Sequence, residues 1–206
     1  MLRALPFAAL AALALLPTAA QASCGGVRHV AAKKEVVPNR APLAIGDSVL
    51  LGAMPQVARE GFEVDVHGCR GFDEGLHVLY ARRHAHTLPH LVVLELGADF
   101  SISMRQIRAA LAITGKRRVL AMLTPREVGG HGGRDAANVR RAGRLYPGHV
   151  LVLDWVRHTR GKGSSWFAPD GIHLDYAGIP GLARFMRLAL PYAKAGVFPS
   201  GGRILS

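Results

Sequence analysis

Acidic residues are scarce in this chain. Its 206 residues hold 14 Asp and Glu against 26 Lys and Arg, a formal net charge of +12. Cysteine is scarcer still, with Cys24 and Cys69 alone. They form no C-x-x-C spacing, so neither a dithiol redox motif nor a structural zinc site is indicated. Internal repeats are absent, which sets aside solenoids and propellers. Past residue 22 no apolar run is long enough to cross a bilayer. A phosphate-cradling P-loop is missing too: Gly161-Lys162-Gly163-Ser164-Ser165 breaks the Gly-Lys-Ser/Thr order.

What is present begins with residues 1–22. Arg3, an Ala/Leu run bracketed by Pro6 and Pro17, and Ala20-Gln21-Ala22 make a basic start, a short apolar core and an A-x-A end. This is the pattern of a secretory signal peptide, so the chain is expected to be exported to a periplasm or beyond. The even cysteine count in an exported chain then makes a Cys24–Cys69 disulfide the expectation, with two free thiols as the alternative. Residues 23–42 read as a leader, 43–195 as one domain and 196–206 as a tail.

Within 43–195, short apolar runs at 43–45, 62–67, 91–96, 118–123 and 149–155 alternate with helical patterns at 49–60, 72–84, 103–114, 134–145 and 176–194. That alternation predicts an α/β fold, a three-layer α/β/α sandwich with a parallel central sheet of about five strands. Asp73 and Glu74 begin the second helix and Arg82, Arg83 and His84 end it, complementing its dipole. Ser103 is placed to cap the third helix and Gly115 to close it.

Two stretches carry chemistry. At Ala44-Ile45-Gly46-Asp47-Ser48, an apolar strand ends in a glycine turn and a helix starts, presenting a serine at the mouth of the sheet. Near the other end, Ala168-Pro169-Asp170-Gly171-Ile172-His173 sets an aspartate three residues before a histidine. Serine, histidine and carboxylate are the parts of an acyl-transferring nucleophile: Ser48 attacks, His173 takes its proton and Asp170 orients His173. Asp47 is expected to bind backbone N–H groups of the turn. His84, His86 and His90 have a metal-like spacing, but nothing nearby completes a site, and no metal or cofactor is expected. His131, in a run of four glycines, belongs to a loop bordering the ligand crevice.

Gly46-Asp47-Ser48, Gly68-Cys69-Arg70-Gly71, Leu96-Gly97-Ala98-Asp99 and Asp170-Gly171-Ile172-His173 follow the order of blocks in the SGNH (GDSL-like) hydrolases, which the chain resembles. Asp154-Trp155 and the stretch 166–174 are similar to SGNH domains associated with O-acyltransferases of cell-envelope glycans. The resemblance implies a flavodoxin-like sheet and an esterase or acyltransferase acting on O-acyl, above all acetyl, esters of a glycan. A transferase would imply a separate membrane partner as acyl donor. A weakened glycan-binding relative of the fold is a third reading. The resemblance further implies an oxyanion hole from Ser48 N–H, a backbone N–H at Gly71, and a third donor at Asp99, where the family has asparagine. An ionised carboxylate accepts only, so Asp99 is protonated, replaced by another donor, a cause of reduced activity, or a structural residue bonded to loop N–H groups; the sequence leaves this open. Export and the lack of a nucleic-acid module argue against DNA or RNA, and the basic excess suits an anionic envelope polymer.

Overall fold

The computed structural model describes residues 24–206; the signal peptide expected at 1–22 lies outside the described residues. Seven strands form one sheet: β1 (Arg28–Val30), β2 (Leu43–Gly46), β3 (Glu63–Val66), β4 (Leu91–Glu95), β5 (Val119–Leu123), β6 (Val150–Leu153) and β7 (Ile204–Leu205). Their spatial order is β1-β3-β2-β4-β5-β6-β7. All neighbours are parallel except β1, which runs antiparallel to β3 with Arg28 opposite Val66. The five expected strands are the inner five. β1 comes from the segment read as a leader and β7 from the segment read as a tail, so both edges are closed by chain whose sequence gave no strand pattern.

β2, β4, β5 and β6 are buried on both faces, as a sheet covered on both sides requires, whereas β3 alternates buried Val64 and Val66 with half-buried Glu63 and Asp65. Leu43 and Ile45 of β2 point to one layer with Val92, Leu94, Leu120 and Met122; Ala44 points to the other with Val93, Ala121 and Leu151. The first layer is covered by α2 (Phe72–His84), α3 (Met104–Thr114) and α4 (Arg134–Leu145) through Phe72, Leu79, Ile107 and Val139. The second is covered by α1 (Ser48–Glu60) and α6 (Gly178–Met186) through Leu50, Val57, Leu182 and Phe185. A one-turn helix α5 (Trp155–His158) follows β6.

The helix ends obey local chemistry. Ser103 accepts from Gln106 N–H while the Gln106 side chain accepts from Ser103 N–H, a reciprocal cap on α3. Gly61 closes α1 at φ 109°. The helix expected at 176–194 is real only to Met186 and continues as a 3-10 helix over Arg187–Ala193. Pro191 explains the change, since it has no N–H and its ring crowds the carbonyl four residues back.

From β2 the chain turns one way to β3, then doubles back across β2 to β4 and continues to β6. The loops leaving β2 and β4 therefore diverge to opposite sides. The cleft between them, at the carboxyl ends of parallel strands, is where open α/β sheets hold ligands.

Candidate active site

Ser48 is the first residue of α1, directly beyond the end of β2. Gly46 permits the approach: a Cβ there would lie 2.4 Å from Leu50 Cβ and 3.0 Å from Glu95 O. Asp47, not Ser48, is the N-cap. Its Oδ1 accepts from Val49 N–H at 3.0 Å and its Oδ2 from Gly97 N–H and Ala98 N–H at 3.1 and 3.0 Å. One fully buried carboxylate thus locks the serine turn to the Gly97–Asp99 loop, and Ser48 is left half-buried and facing the cleft.

The Asp170–His173 turn comes from the far end of the chain. Ser48 Oγ stands 2.9 Å from His173 Nε2, and His173 Nδ1 stands 2.6 Å from Asp170 Oδ2. A carboxylate only accepts, so Nδ1 carries the hydrogen, and in the neutral ring Nε2 is free to accept from the Ser48 hydroxyl. Asp170 Oδ1 also accepts from Ile172 N–H at 2.8 Å and His173 N–H at 3.0 Å. Burial alone would raise the Asp170 pKa, but the hydrogen bonds from the His173 ring and these two amides outweigh it and hold the carboxyl below its usual range. The site therefore keeps a fixed negative charge behind the imidazole.

That turn is tied down by residues the sequence reading did not single out. Arg126, buried and stacked 3.7 Å over the Phe167 ring, donates from Nε to Gly171 O at 2.7 Å and from Nη1 to Thr159 Oγ1 at 2.7 Å. Gly129 N–H donates to Asp170 O at 3.0 Å. Gly171 has φ 73°, and a Cβ on it would come within 2.6 Å of Gly130 N. The glycine-rich loop is thus a brace for the Asp170–His173 turn, and His131 within it is exposed.

Two further buried polar side chains brace the serine side. Arg70 is 2% exposed; its Nη1 donates to Asp65 O at 2.7 Å and to Gly46 O at 3.4 Å, and its Nη2 pairs with Asp65 Oδ1 at 2.7 Å. This pins the 68–71 loop to the end of β2. Glu95, the last residue of β4, accepts from Leu50 N–H at 3.2 Å through its side chain and from Asp47 N–H at 3.2 Å through its backbone carbonyl. Burial pushes the Glu95 carboxyl well above the usual range, and the neighbouring Asp47 carboxyl adds to this. A charged residue inside Leu91-Val92-Val93-Leu94-Glu95-Leu96 was the legible signal for it.

Ser48 opens α1 and Gly71 is the N-cap of α2. Both N–H groups occupy positions that helix geometry leaves without an intrahelical acceptor, suited to an anionic oxygen. Asp99 is exposed and lines a cleft of about 420 Å³ with Phe100, Glu127, Val128, Arg134 and Asp135. Cys24 and Cys69 are joined by a disulfide, and Gly68 N–H donates to Cys24 O at 3.1 Å, so the start of the described chain is sewn to the Gly71 loop. Among the described residues no helix is long and apolar enough to cross a membrane. The arrangement is that of a serine ester hydrolase or acyltransferase.

No family profile matches the chain. It is 29% identical over 160 residues to a Staphylococcus aureus (strain COL) protein named as an O-acetyltransferase, covering 70% of this chain and 24% of the relative. It is 28% identical over 140 residues to peptidoglycan O-acetyltransferase OatA of Listeria monocytogenes, 66% of this chain and 22% of that one. The chain thus spans about a quarter of the length of the curated relatives it matches. Among solved structures, the C-terminal catalytic domain of Streptococcus pneumoniae OatA, carrying a methylsulfonyl adduct, superposes with a TM-score of 0.65 at 18% identity. That match covers 78% of this chain and 98% of the other. A lipase/acylhydrolase from Enterococcus faecalis gives 0.57 at 16% identity, covering 76% and 99%. By sheet order, by the succession of its motif blocks and by these likenesses, the chain carries the SGNH (GDSL-like) hydrolase fold, in the form shared by an O-acetyltransferase catalytic domain and bacterial acylhydrolases.

Proposed function

We propose that this is an exported serine esterase that removes O-acyl groups, acetyl above all, from a carbohydrate of the cell envelope. The observation that carries the reading is the Ser48 Oγ to His173 Nε2 distance of 2.9 Å, with Asp170 behind the ring. Ser48 Oγ forms a bond to the ester carbonyl carbon and its proton passes to His173 Nε2. The resulting oxyanion is met by Ser48 N–H and Gly71 N–H. As the carbon–oxygen bond to the sugar breaks, His173 returns the proton to the departing sugar oxygen, leaving acetyl on Ser48. Water then attacks with His173 as base, and acetate leaves.

A sugar fits the neighbouring cleft. Phe100 is 54% exposed there beside Asp99, Glu127 and Asp135. An apolar ring stacks on the C–H face of a pyranose, and carboxylates accept from its hydroxyls. Export rests on the 1–22 pattern, and the mature chain would begin near Ser23.

Acyl transfer is the second reading, favoured by the O-acetyltransferase names of the relatives. It differs only in what resolves the acyl-enzyme, a glycan hydroxyl in place of water, and it calls for a separate membrane partner to deliver the acyl group. Hydrolysis of p-nitrophenyl acetate, with and without a glycan oligosaccharide, separates the two. Free acetate as the product in both cases is the esterase result; acetylated oligosaccharide is the transferase result. Ser48→Ala and His173→Ala should each lower turnover by roughly a thousandfold or more without altering the melting temperature by more than a few degrees. Near-normal turnover in folded Ser48→Ala protein would remove the assignment altogether.

A further inference from the structure

The opposite end of the sheet holds a second cavity, of about 540 Å³, that the ester chemistry does not use. Arg40, Arg83, Arg117 and Arg118 line it, together with His86 and His90. Arg40 precedes β2, His86 and His90 precede β4, and Arg117 and Arg118 precede β5, so all lie at the amino ends of parallel strands. Ser48 and the Gly97–Asp99 loop lie at the carboxyl ends, a strand of five residues or roughly 16 Å away. The two sites face apart.

Four guanidinium groups share this cavity, and none of them is paired with a carboxylate among the described residues. Elsewhere the molecule does pair its arginines: Arg70 with Asp65, Arg82 with Glu63, Arg140 with Asp154. Here the fixed partners are neutral carbonyls. Arg118 donates from Nε to Leu88 O at 3.2 Å and from Nη1 to Thr114 O at 3.3 Å. Arg40 donates from Nη1 to His86 O at 3.1 Å, and His86 holds a left-handed backbone, φ 57°. Arg83 and Arg117 are exposed at the rim. Like charges are thus gathered and held, with no counter-charge supplied by the protein.

We infer that this cavity binds phosphate-ester groups of an envelope polymer or lipid, holding the enzyme against that material while Ser48 works at the other end. Phosphate is favoured over carboxylate by shape. A carboxylate presents two oxygens in one plane, whereas a phosphoryl group presents three or four in a tetrahedron and can engage several guanidinium forks at once.

Calorimetric titration of the chain with glucose 6-phosphate and with glucuronate tests the inference directly. Glucose 6-phosphate should bind one to one and at least tenfold more tightly than glucuronate. The exposed-rim variant Arg83→Gln/Arg117→Gln should lose at least tenfold of that affinity while p-nitrophenyl acetate turnover stays within twofold of wild type. The control Arg141→Gln/Arg144→Gln, two exposed arginines of α4, should lose no more than twofold. Co-sedimentation with phosphatidylglycerol vesicles, compared with retention on a soluble glycerol-phosphate polymer, identifies lipid or polymer as the source, and either result sustains the site. No one-to-one binding, equal or tighter binding of glucuronate, or equal loss in the control variant would overturn it. Loss of ester turnover in Ser48→Ala is a separate outcome, so a failure here and a failure of the esterase reading remain distinguishable.

Discussion

At the scale of single residues, the site is a set of fixed charges around one mobile proton. In the proposed reaction His173 Nε2 accepts the Ser48 hydrogen while Asp170 stays charged behind the ring. Its hydrogen bonds keep the Asp170 carboxyl below the usual range, so that charge is held through the ordinary aspartate range and lost only at lower pH. The sign for stability is the same. A depressed folded-state pKa contributes stability above the ordinary aspartate range and loses it as pH falls through the folded value. An NMR titration should therefore find the Asp170 carboxyl still ionised through the ordinary aspartate range; a carboxyl that titrates at the usual aspartate value would overturn this. Asp99 is the other residue at issue. It is exposed in the loop that Asp47 ties to the serine turn, at the position where the resembled family has an asparagine donor. Asp99→Asn should raise p-nitrophenyl acetate turnover at neutral pH by up to roughly a hundredfold, the worth of one oxyanion donor. A large loss in that variant would mean that the carboxylate itself serves the reaction.

At the scale of elements, sequence and structure agree where periodicity was strong and part where tertiary contacts decide. The five inner strands and the caps at Ser103 and Gly115 follow from short-range pattern: burial on both faces leaves β2, β4, β5 and β6 little choice of residue, and β3 alternates Glu63 and Asp65 with buried Val64 and Val66. β1 and β7 do not. Each has three residues or fewer, and each exists only because a neighbouring strand offers free N–H and C=O groups. The serine, histidine and aspartate could be read because their chemistry is rare in combination. Arg70, Glu95 and Arg126 could not be placed, since an arginine in a loop has a surface reading by default and only three-dimensional contacts reveal it as a brace. The Cys24–Cys69 disulfide is the element most open to test. It closes a segment with a sequence separation of 45, for which loop-closure entropy gives about 4 kcal/mol. Reduction should lower the unfolding free energy by about 2–4 kcal/mol in denaturant titrations. It should also lower kcat more than it raises KM, because the Gly71 N–H loses its anchor. Unchanged kcat after reduction would show that Arg70 alone holds the loop.

For the molecule as a whole, the net charge of +12 is distributed unequally between its two working ends. The cleft beside Ser48 is lined by Asp99, Glu127 and Asp135 with Arg134 as its one cation; the far cavity is lined by four arginines. Salt screens exposed charges over about 8–10 Å at physiological strength. Turnover of a small neutral ester should therefore change little between roughly 50 and 300 mM salt, while turnover of acetyl groups on insoluble envelope material should fall several-fold over that range. Parallel loss on both substrates would place the salt-sensitive step at Ser48 and away from the basic end.

The short strands at the sheet margins bear on how copies of the protein behave toward one another. An uncovered strand offers its free amides and carbonyls to any similar strand, which is the usual start of aggregation. Here β3 is covered by β1, with Arg28 and His29 facing outward, and β6 is covered by two residues of β7 beside Arg203. The margins are thus too brief and too positively charged to recruit a second molecule. Cleavage near Val30 would leave residues 24–30 tethered through Cys24–Cys69, so β3 should lose this cover, and the protein begin to self-associate, only when such a nick is combined with reduction of the disulfide.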